Sequence, residues 1–216
     1  MIAVFLLFLS SLQAVSLDDP VFAYQYQEQV EKGASAFLQS CYSCHSMSLL
    51  RTDPVSLKAG IDPKNAPVWS KDSWNGHPPP DLSLVTAYRG LDHVYSYLRA
   101  YYKVDTDAGY DNLVIPGTQM PNPFAMMQGD QIKVMDNTDG VRLFRSLELV
   151  RRGSMNPQEF DDYVTSIVAY LNYASDPSVE ERHHYGVYVI GFLVIFVFIM
   201  IFLDIAYWRD IHHHRK

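Results

Sequence analysis

Cys41-Tyr42-Ser43-Cys44-His45 contains the chain's only two cysteines, three positions apart, with a histidine directly after the second. This C-x-x-C-H spacing is the pattern of covalent haem c attachment. At a helix end, positions i, i+3 and i+4 share a face, so Cys41, Cys44 and His45 can all meet one flat porphyrin. The two thiols add across the haem vinyl groups and the imidazole becomes an axial iron ligand. A structural zinc site would need a second ligand pair, and there is no further cysteine to supply one. A thioredoxin-like redox pair needs a βαβ setting, which the flanking residues do not suggest.

The favoured second iron ligand is Met120, in Pro116-Gly117-Thr118-Gln119-Met120-Pro121. Pro121 biases Met120 toward an extended backbone that can hold a side chain across a crevice. A thioether ligand favours reduced iron and raises the potential, which suits an electron carrier. Met126, Met127, Met135 and Met155 are alternatives, since a methionine is more commonly a core gap-filler.

Several elements must position these groups. Gly33, Phe37 and Cys41 recur every four residues and predict a helix that delivers the first thiol. From Arg51 to Pro80 six prolines break the periodicity, and a loop carrying Trp69 and Trp74 is expected to wrap the prosthetic group. Asp81 is expected to cap a short helix reaching Tyr88. Leu91, Val94, Tyr95, Leu98, Tyr101 and Tyr102 form a helical stripe whose tyrosines are expected mainly in the core. Asp105 to Met127 forms a second loop. Gln131–Met135 and Val141–Leu149 flank Asp136-Asn137-Thr138-Asp139-Gly140 and predict a small hairpin. Asn156-Pro157 opens a helix with Phe160, Tyr163, Val164, Ile167, Val168 and Leu171 on one face.

The two ends point to a membrane. Residues 1–16 are apolar and close in a small-x-small triplet, the pattern of a secretory signal peptide, either cleaved or retained as a short N-terminal anchor, although a basic start is missing. Tyr185 to Leu203 has no charge over a length that crosses the hydrocarbon layer, with Tyr185, Tyr188, Tyr207 and Trp208 at its borders. The expected organisation is therefore a signal at 1–16, an extracytoplasmic domain at 17–184, a transmembrane helix at 185–208 and a basic cytoplasmic tail at 209–216. Glu180 and Glu181 precede the span while Arg209, Arg215 and Lys216 follow it, which places the haem domain outside and the C-terminus in the cytoplasm. His212-His213-His214 reads as a solvated tail or tag remnant rather than a metal site. The net charge of -7 argues against nucleic-acid binding and leaves room for a basic protein partner, with Asp105, Asp107 and Asp111 as candidate steering charges.

Two resemblances add to this reading. The Gly33–Phe37–Cys41 helix resembles the N-terminal helix of class I cytochromes c, which implies that Gly33 admits a close crossing by the C-terminal helix of the soluble domain. Beyond that helix, the chain resembles the short bacterial form of the cytochrome c1 family. The residues that carry this are Cys41 to His45, Trp74 with Pro79-Pro80-Asp81-Leu82-Ser83, Arg89-Gly90 leading into Tyr95-Ser96-Tyr97-Leu98-Arg99, Met120-Pro121, and the single anchor. The fold implied is mainly α, a class I cytochrome c-like haem domain with long loops, a small β-hairpin and one C-terminal transmembrane helix.

The resemblance implies one covalent haem c on Cys41 and Cys44, with His45 and Met120 on the iron and Pro79 and Pro80 beside the ring. It implies one-electron transfer from the Rieske iron-sulfur protein to a cytochrome c or an oxidase haem domain, within a dimeric bc1 complex that includes cytochrome b. The chain would be an electron-transfer subunit and no catalyst by itself, held in the bacterial inner membrane and in contact with lipid. Long members of the family hold a haem propionate with an arginine before the ligand methionine; Gly109-Tyr110-Asp111-Asn112 has none, which leaves Arg89 or Arg99 as substitutes. A membrane-anchored monohaem cytochrome of a terminal oxidase is the alternative, and a peroxidase would usually need a second haem motif.

Overall fold

The structure is a computed structural model that describes residues 18–22, 26–50, 53–104, 109–138 and 141–214. The expected signal peptide at 1–16, the candidate steering charges Asp105 and Asp107, the Asp139-Gly140 reversal, and Arg215 and Lys216 lie outside the described residues. The chain divides into two compact units, one ending at Ser175 and the other starting at Asp176.

The first unit is built on two long helices, α1 (Tyr26–Ser40) and α7 (Pro157–Ser175). Asn156 and Glu159 start α7 with a reciprocal capping box: Glu159 N–H donates to Asn156 Oδ1 at 3.0 Å, and Asn156 N–H donates to Glu159 Oε2 at 2.8 Å. Pro157 follows at the first helical position, where its missing N–H costs nothing. The predicted faces, Gly33–Phe37–Cys41 at one helix and Phe160–Val164–Ile167–Val168–Leu171 on the other, are buried, with Tyr163 half-buried beside them. Gly33 permits their contact. A Cβ at that position would lie 1.8 Å from the Ser166 carbonyl oxygen, so no larger residue fits without pushing the helices apart.

Tyrosine hydroxyls then tie α7 to its neighbours. Tyr163 shares a hydrogen bond with Ser40 at 2.7 Å, Tyr170 with Ser56 at 2.8 Å, and Tyr173 donates to Asp53 at 2.6 Å. Ser56 and Asp53 belong to a stretch where a continuous loop was expected and short helices occur instead. Asp53 caps α2 (Pro54–Ala59), accepting from Ser56 N–H at 2.7 Å, and Asp62 caps a 3-10 turn (Pro63–Asn65) in the same way. The prolines that suggested a loop follow capping aspartates in both cases, and an Asp-Pro pair starts a helix rather than ending one.

Two further expectations need correction. Asp81 does not cap the helix that ends at Arg89. Beyond the short turn α3 (Ser73–Gly76), the helix α4 (Val85–Arg89) begins at Leu84 with no side-chain cap. The tyrosine-rich helix α5 (Leu91–Arg99) also stops sooner than its stripe suggests: Tyr101–Lys103 forms strand β1, paired antiparallel with β2 (Tyr110–Asn112). Asn112 terminates the helix, its side-chain amide donating to the Tyr97 carbonyl at 2.8 Å. After a single turn α6 (Ala125–Gln128), strands β3 (Gly129–Thr138) and β4 (Val141–Arg152) pair antiparallel, from Gly129 opposite Arg152 to Thr138 opposite Val141. Gln131 anchors β3, donating to the Arg99 and Tyr101 carbonyls at 3.0 Å each.

The second unit consists mainly of α8, a continuous helix from Val179 to His214. Its apolar part, Glu181–Arg209, is 29 residues long, or about 44 Å at 1.5 Å per residue, which exceeds the ~30 Å hydrocarbon layer. Its large apolar side chains are exposed, as a lipid-facing helix requires. Arg182, at the N-terminal end of this part, pairs with Asp176. This fits a single-pass membrane anchor.

Candidate haem-binding site

Helix α1 ends where the chemistry begins. Cys41 N–H still donates to the Phe37 carbonyl at 2.8 Å, and the Cys41 carbonyl then accepts from Cys44 N–H at 3.0 Å and His45 N–H at 2.9 Å. This turn puts both sulfurs and the imidazole on one side. Burial pushes the Cys41 thiol up to about 12, which favours its neutral form, while Cys44 is only half-buried.

His45 is oriented from behind. Its Nδ1 lies 2.8 Å from the Pro80 carbonyl oxygen, which can only accept, so the proton sits on Nδ1 and Nε2 keeps a free lone pair. Burial lowers the imidazole's proton affinity, which favours the neutral form a metal needs. Pro80 is fixed in turn by Asp81, which sequence reasoning assigned elsewhere. One Asp81 oxygen accepts from Ser46 Oγ and Ser48 N–H, both at 2.7 Å, and the other from Ser83 N–H at 2.9 Å. Partial burial pushes this carboxyl up, but these hydrogen bonds win and hold it down to about 2. Asp81 thus clamps the chain after His45 to the chain after Pro80. Trp69 supports the same turn, its indole N–H donating to the Cys44 carbonyl at 2.8 Å.

These groups open into a cavity of about 650 Å³, within the ordinary range for a cofactor site. Cys41, Cys44 and His45 line one side, and Pro79, Pro80, Leu82, Val94, Leu98, Ile167 and Leu171 supply apolar walls. Met120 and Pro121 line it too, and no other methionine does among the described residues. The alternatives are elsewhere: Met126 is 79% exposed, Met135 is exposed on β3, and Met127 and Met155 pack against the core. Arg89 lines the cavity, whereas Arg99 bridges Asp18 and Asp161 and stacks on Tyr95.

The Met120 segment is held by side chains of β2. Asn112, fully buried, accepts from Val114 N–H at 2.9 Å and Ile115 N–H at 3.3 Å. Asp111 accepts from Gly117 N–H at 2.7 Å and from the Tyr102 hydroxyl at 2.9 Å. Asp111, a candidate steering charge by sequence, is committed to building this loop.

The model of the cytochrome C1 family matches residues 62–211. The chain is also 32% identical over 209 residues, 86% of each chain, to a cytochrome c1 of Allochromatium vinosum. This chain belongs to the cytochrome c1 family. It is 23% identical over 251 residues to a cytochrome c1 of Rhodospirillum rubrum, covering 89% of this chain and 85% of that one. A Nitrosomonas europaea protein named ammonia monooxygenase gamma subunit is 30% identical over 222 residues, 94% of this chain and 92% of its own. The family match includes Met120 but starts after His45, so the attachment motif is an independent observation.

Like other cytochromes c1, the chain carries one covalently bound haem c, and its site fits that group: two thiols, an imidazole nitrogen with a free lone pair and a thioether all line one apolar cavity. Sequence reasoning proposed this donor set. It missed the groups that aim it. Asp81 was read as a helix cap, and Tyr97, which also lines the cavity, was named only within the Tyr95–Arg99 run that carries the family resemblance.

Proposed function

We propose that the chain presents its haem c for one-electron transfer with the iron held between His45 and Met120. As a cytochrome c1 it is the haem c subunit of the cytochrome bc1 complex, and the terminal-oxidase alternative is not favoured. The observation that carries the ligand reading is that Cys41, Cys44, His45 and Met120 line the same cavity. Bound there, haem supplies a reversible Fe(III)/Fe(II) couple.

The protein's residues do the rest. Cys41 and Cys44 prevent dissociation, the Pro80 carbonyl fixes the imidazole, and the apolar walls exclude water, so little reorganisation accompanies a change of charge. Pro79 and Pro80 flank the ring, and Arg89 is the better placed of the two arginines to meet a propionate. Electrons come from the mobile Rieske protein and leave to a cytochrome c or an oxidase haem domain, beside cytochrome b in a dimeric complex. The residues after the signal at 1–16 and up to 184 form a class I-like haem domain with the β3–β4 strands as its hairpin. Residues 185–208 span the bacterial inner membrane, and 209–216 stay cytoplasmic because positive charge follows the span.

The test is purification from native membranes in mild detergent. Cytochrome b and the Rieske protein should travel with the chain, together with a c-type reduced spectrum. Recovery without either would overturn the bc1 reading. Recovery with monooxygenase subunits would favour the role named for the Nitrosomonas relative.

A further inference from the structure

Three hydroxyl groups converge on the segment that carries Met120. Tyr97, on α5, lines the cavity, and its hydroxyl lies 2.8 Å from Thr118 Oγ1 and 2.8 Å from the hydroxyl of Tyr101. Tyr101 opens β1, is 1% exposed, and also has its hydroxyl 3.3 Å from the Met120 carbonyl oxygen. The two rings pack edge to face with centroids 5.6 Å apart.

Tyr101 donates to the Tyr97 hydroxyl at 2.8 Å and reaches the Met120 carbonyl oxygen at 3.3 Å, while Tyr97 and Thr118 share the remaining bond. The cluster therefore begins and ends within residues 118–120 and passes through two rings fixed by the fold. The backbone of Tyr97 is held as well, its carbonyl accepting from the buried Asn112.

We propose that Tyr97 and Tyr101 are positioning residues for Met120, closing the Thr118–Met120 segment over the cavity and so setting how firmly the iron keeps its sixth ligand. This rests on Met120 being that ligand. Hydroxyl-to-hydroxyl bonds in a poorly hydrated site reinforce one another, so losing one member loosens the whole circuit. Neither ring needs to touch the iron for this. What each supplies is a fixed hydrogen bond to a segment whose backbone is otherwise tied by Thr118 N–H to the Ile115 carbonyl at 3.2 Å.

The test uses the full chain in its native complex, with Tyr97→Phe, Tyr101→Phe, Thr118→Val and Thr118→Ser. Three quantities are read: the methionine–iron charge-transfer absorption of the oxidised form, the midpoint potential, and the affinity for added imidazole. Tyr101→Phe and Thr118→Val should raise imidazole affinity about fivefold, the change that losing one ordinary hydrogen bond produces in an open–closed equilibrium. They should also lower the potential and weaken the absorption, and Thr118→Ser should restore all three. Wild-type values in these variants, even with lowered thermal stability, would reduce the hydroxyls to packing and overturn the proposal. If Tyr101→Phe does not accumulate, the Thr118 pair decides the matter.

Met120→Ala, run in parallel, separates the two readings. An unchanged absorption and potential there would sink the ligand assignment and this proposal with it. Loss of both in Met120→Ala, with normal tyrosine and threonine variants, would sink this proposal alone.

Discussion

The two sides of the haem cavity are built in different ways. Cys41, Cys44 and His45 leave the end of a helix, and that helix is locked against α7 through Gly33. Met120 sits in a segment without regular structure, held by Asn112, Asp111, Tyr97 and Tyr101. The first side is secured by covalent chemistry and core packing, the second by individual hydrogen bonds worth about 1 kcal/mol each. One side should therefore fail as a whole, with the fold, and the other should loosen in steps while haem stays attached.

The largest expected effect is Gly33→Val. Overpacking of this kind typically costs about 1–3 kcal/mol, and here a rigid backbone carbonyl receives the added atoms, so the cost should be at least the top of that range. Thermal melts and haem yield should both collapse; a stable, fully loaded variant would refute the claim that the crossing needs glycine.

Next comes Asn112→Ala. It strips a buried acceptor from two backbone N–H groups and a donor from the Tyr97 carbonyl, at about 1–3 kcal/mol for the groups left unsatisfied. Covalent haem on a denaturing gel should be normal while the methionine–iron absorption fades. If attachment fails together with the ligand, the two sides are not separable as described.

A smaller effect is expected at Trp69→Phe, which removes one hydrogen bond to the Cys44 carbonyl at a half-exposed site. The melting point should fall by an amount matching about 0.5–1.5 kcal/mol, with the potential barely changed. A large shift in potential would mean that Trp69 acts on the iron and not only on the turn.

The smallest is a pH effect through Asp81. Its carboxyl sits at about 2 when folded against an ordinary 3.8, so its stabilising contribution is complete above pH ~4 and fades as the pH falls toward 2. Asp81→Asn should flatten the acid limb of stability over that window and leave neutral pH behaviour less affected. An acid limb identical to wild type would show that the clamp contributes nothing measurable.

Much of the helix-derived side was legible because its signals are local. A C-x-x-C-H run, a glycine–aromatic–cysteine stripe and an Asn-Pro start each dictate their own geometry over a few residues. The pairing of Gln131–Met135 with Val141–Leu149 was expected from the turn-forming residues between them, and the anchor from an uncharged stretch. What escaped were contacts between distant segments. Asp81 looked like a helix cap because an aspartate ahead of a helical stretch usually is one, but Ser46 and Ser48 compete for its oxygens. Asp111 looked like free surface charge until the Gly117 amide turned toward it. Tyr101 continued a helical stripe that Asn112 cut short from outside.

By itself, the sequence determined the C-x-x-C-H motif of covalent haem attachment, the two thiols and the imidazole as its candidate holders, and an apolar helix after the haem-binding unit, because those properties follow from residue type and short spacing. Only the tertiary structure decided which way the imidazole points, which of several methionines lines the cavity, and what holds that methionine there. These depend on pairs such as His45 with Pro80 and Tyr101 with Met120, which have no relation along the chain until folding brings them within a hydrogen bond of each other.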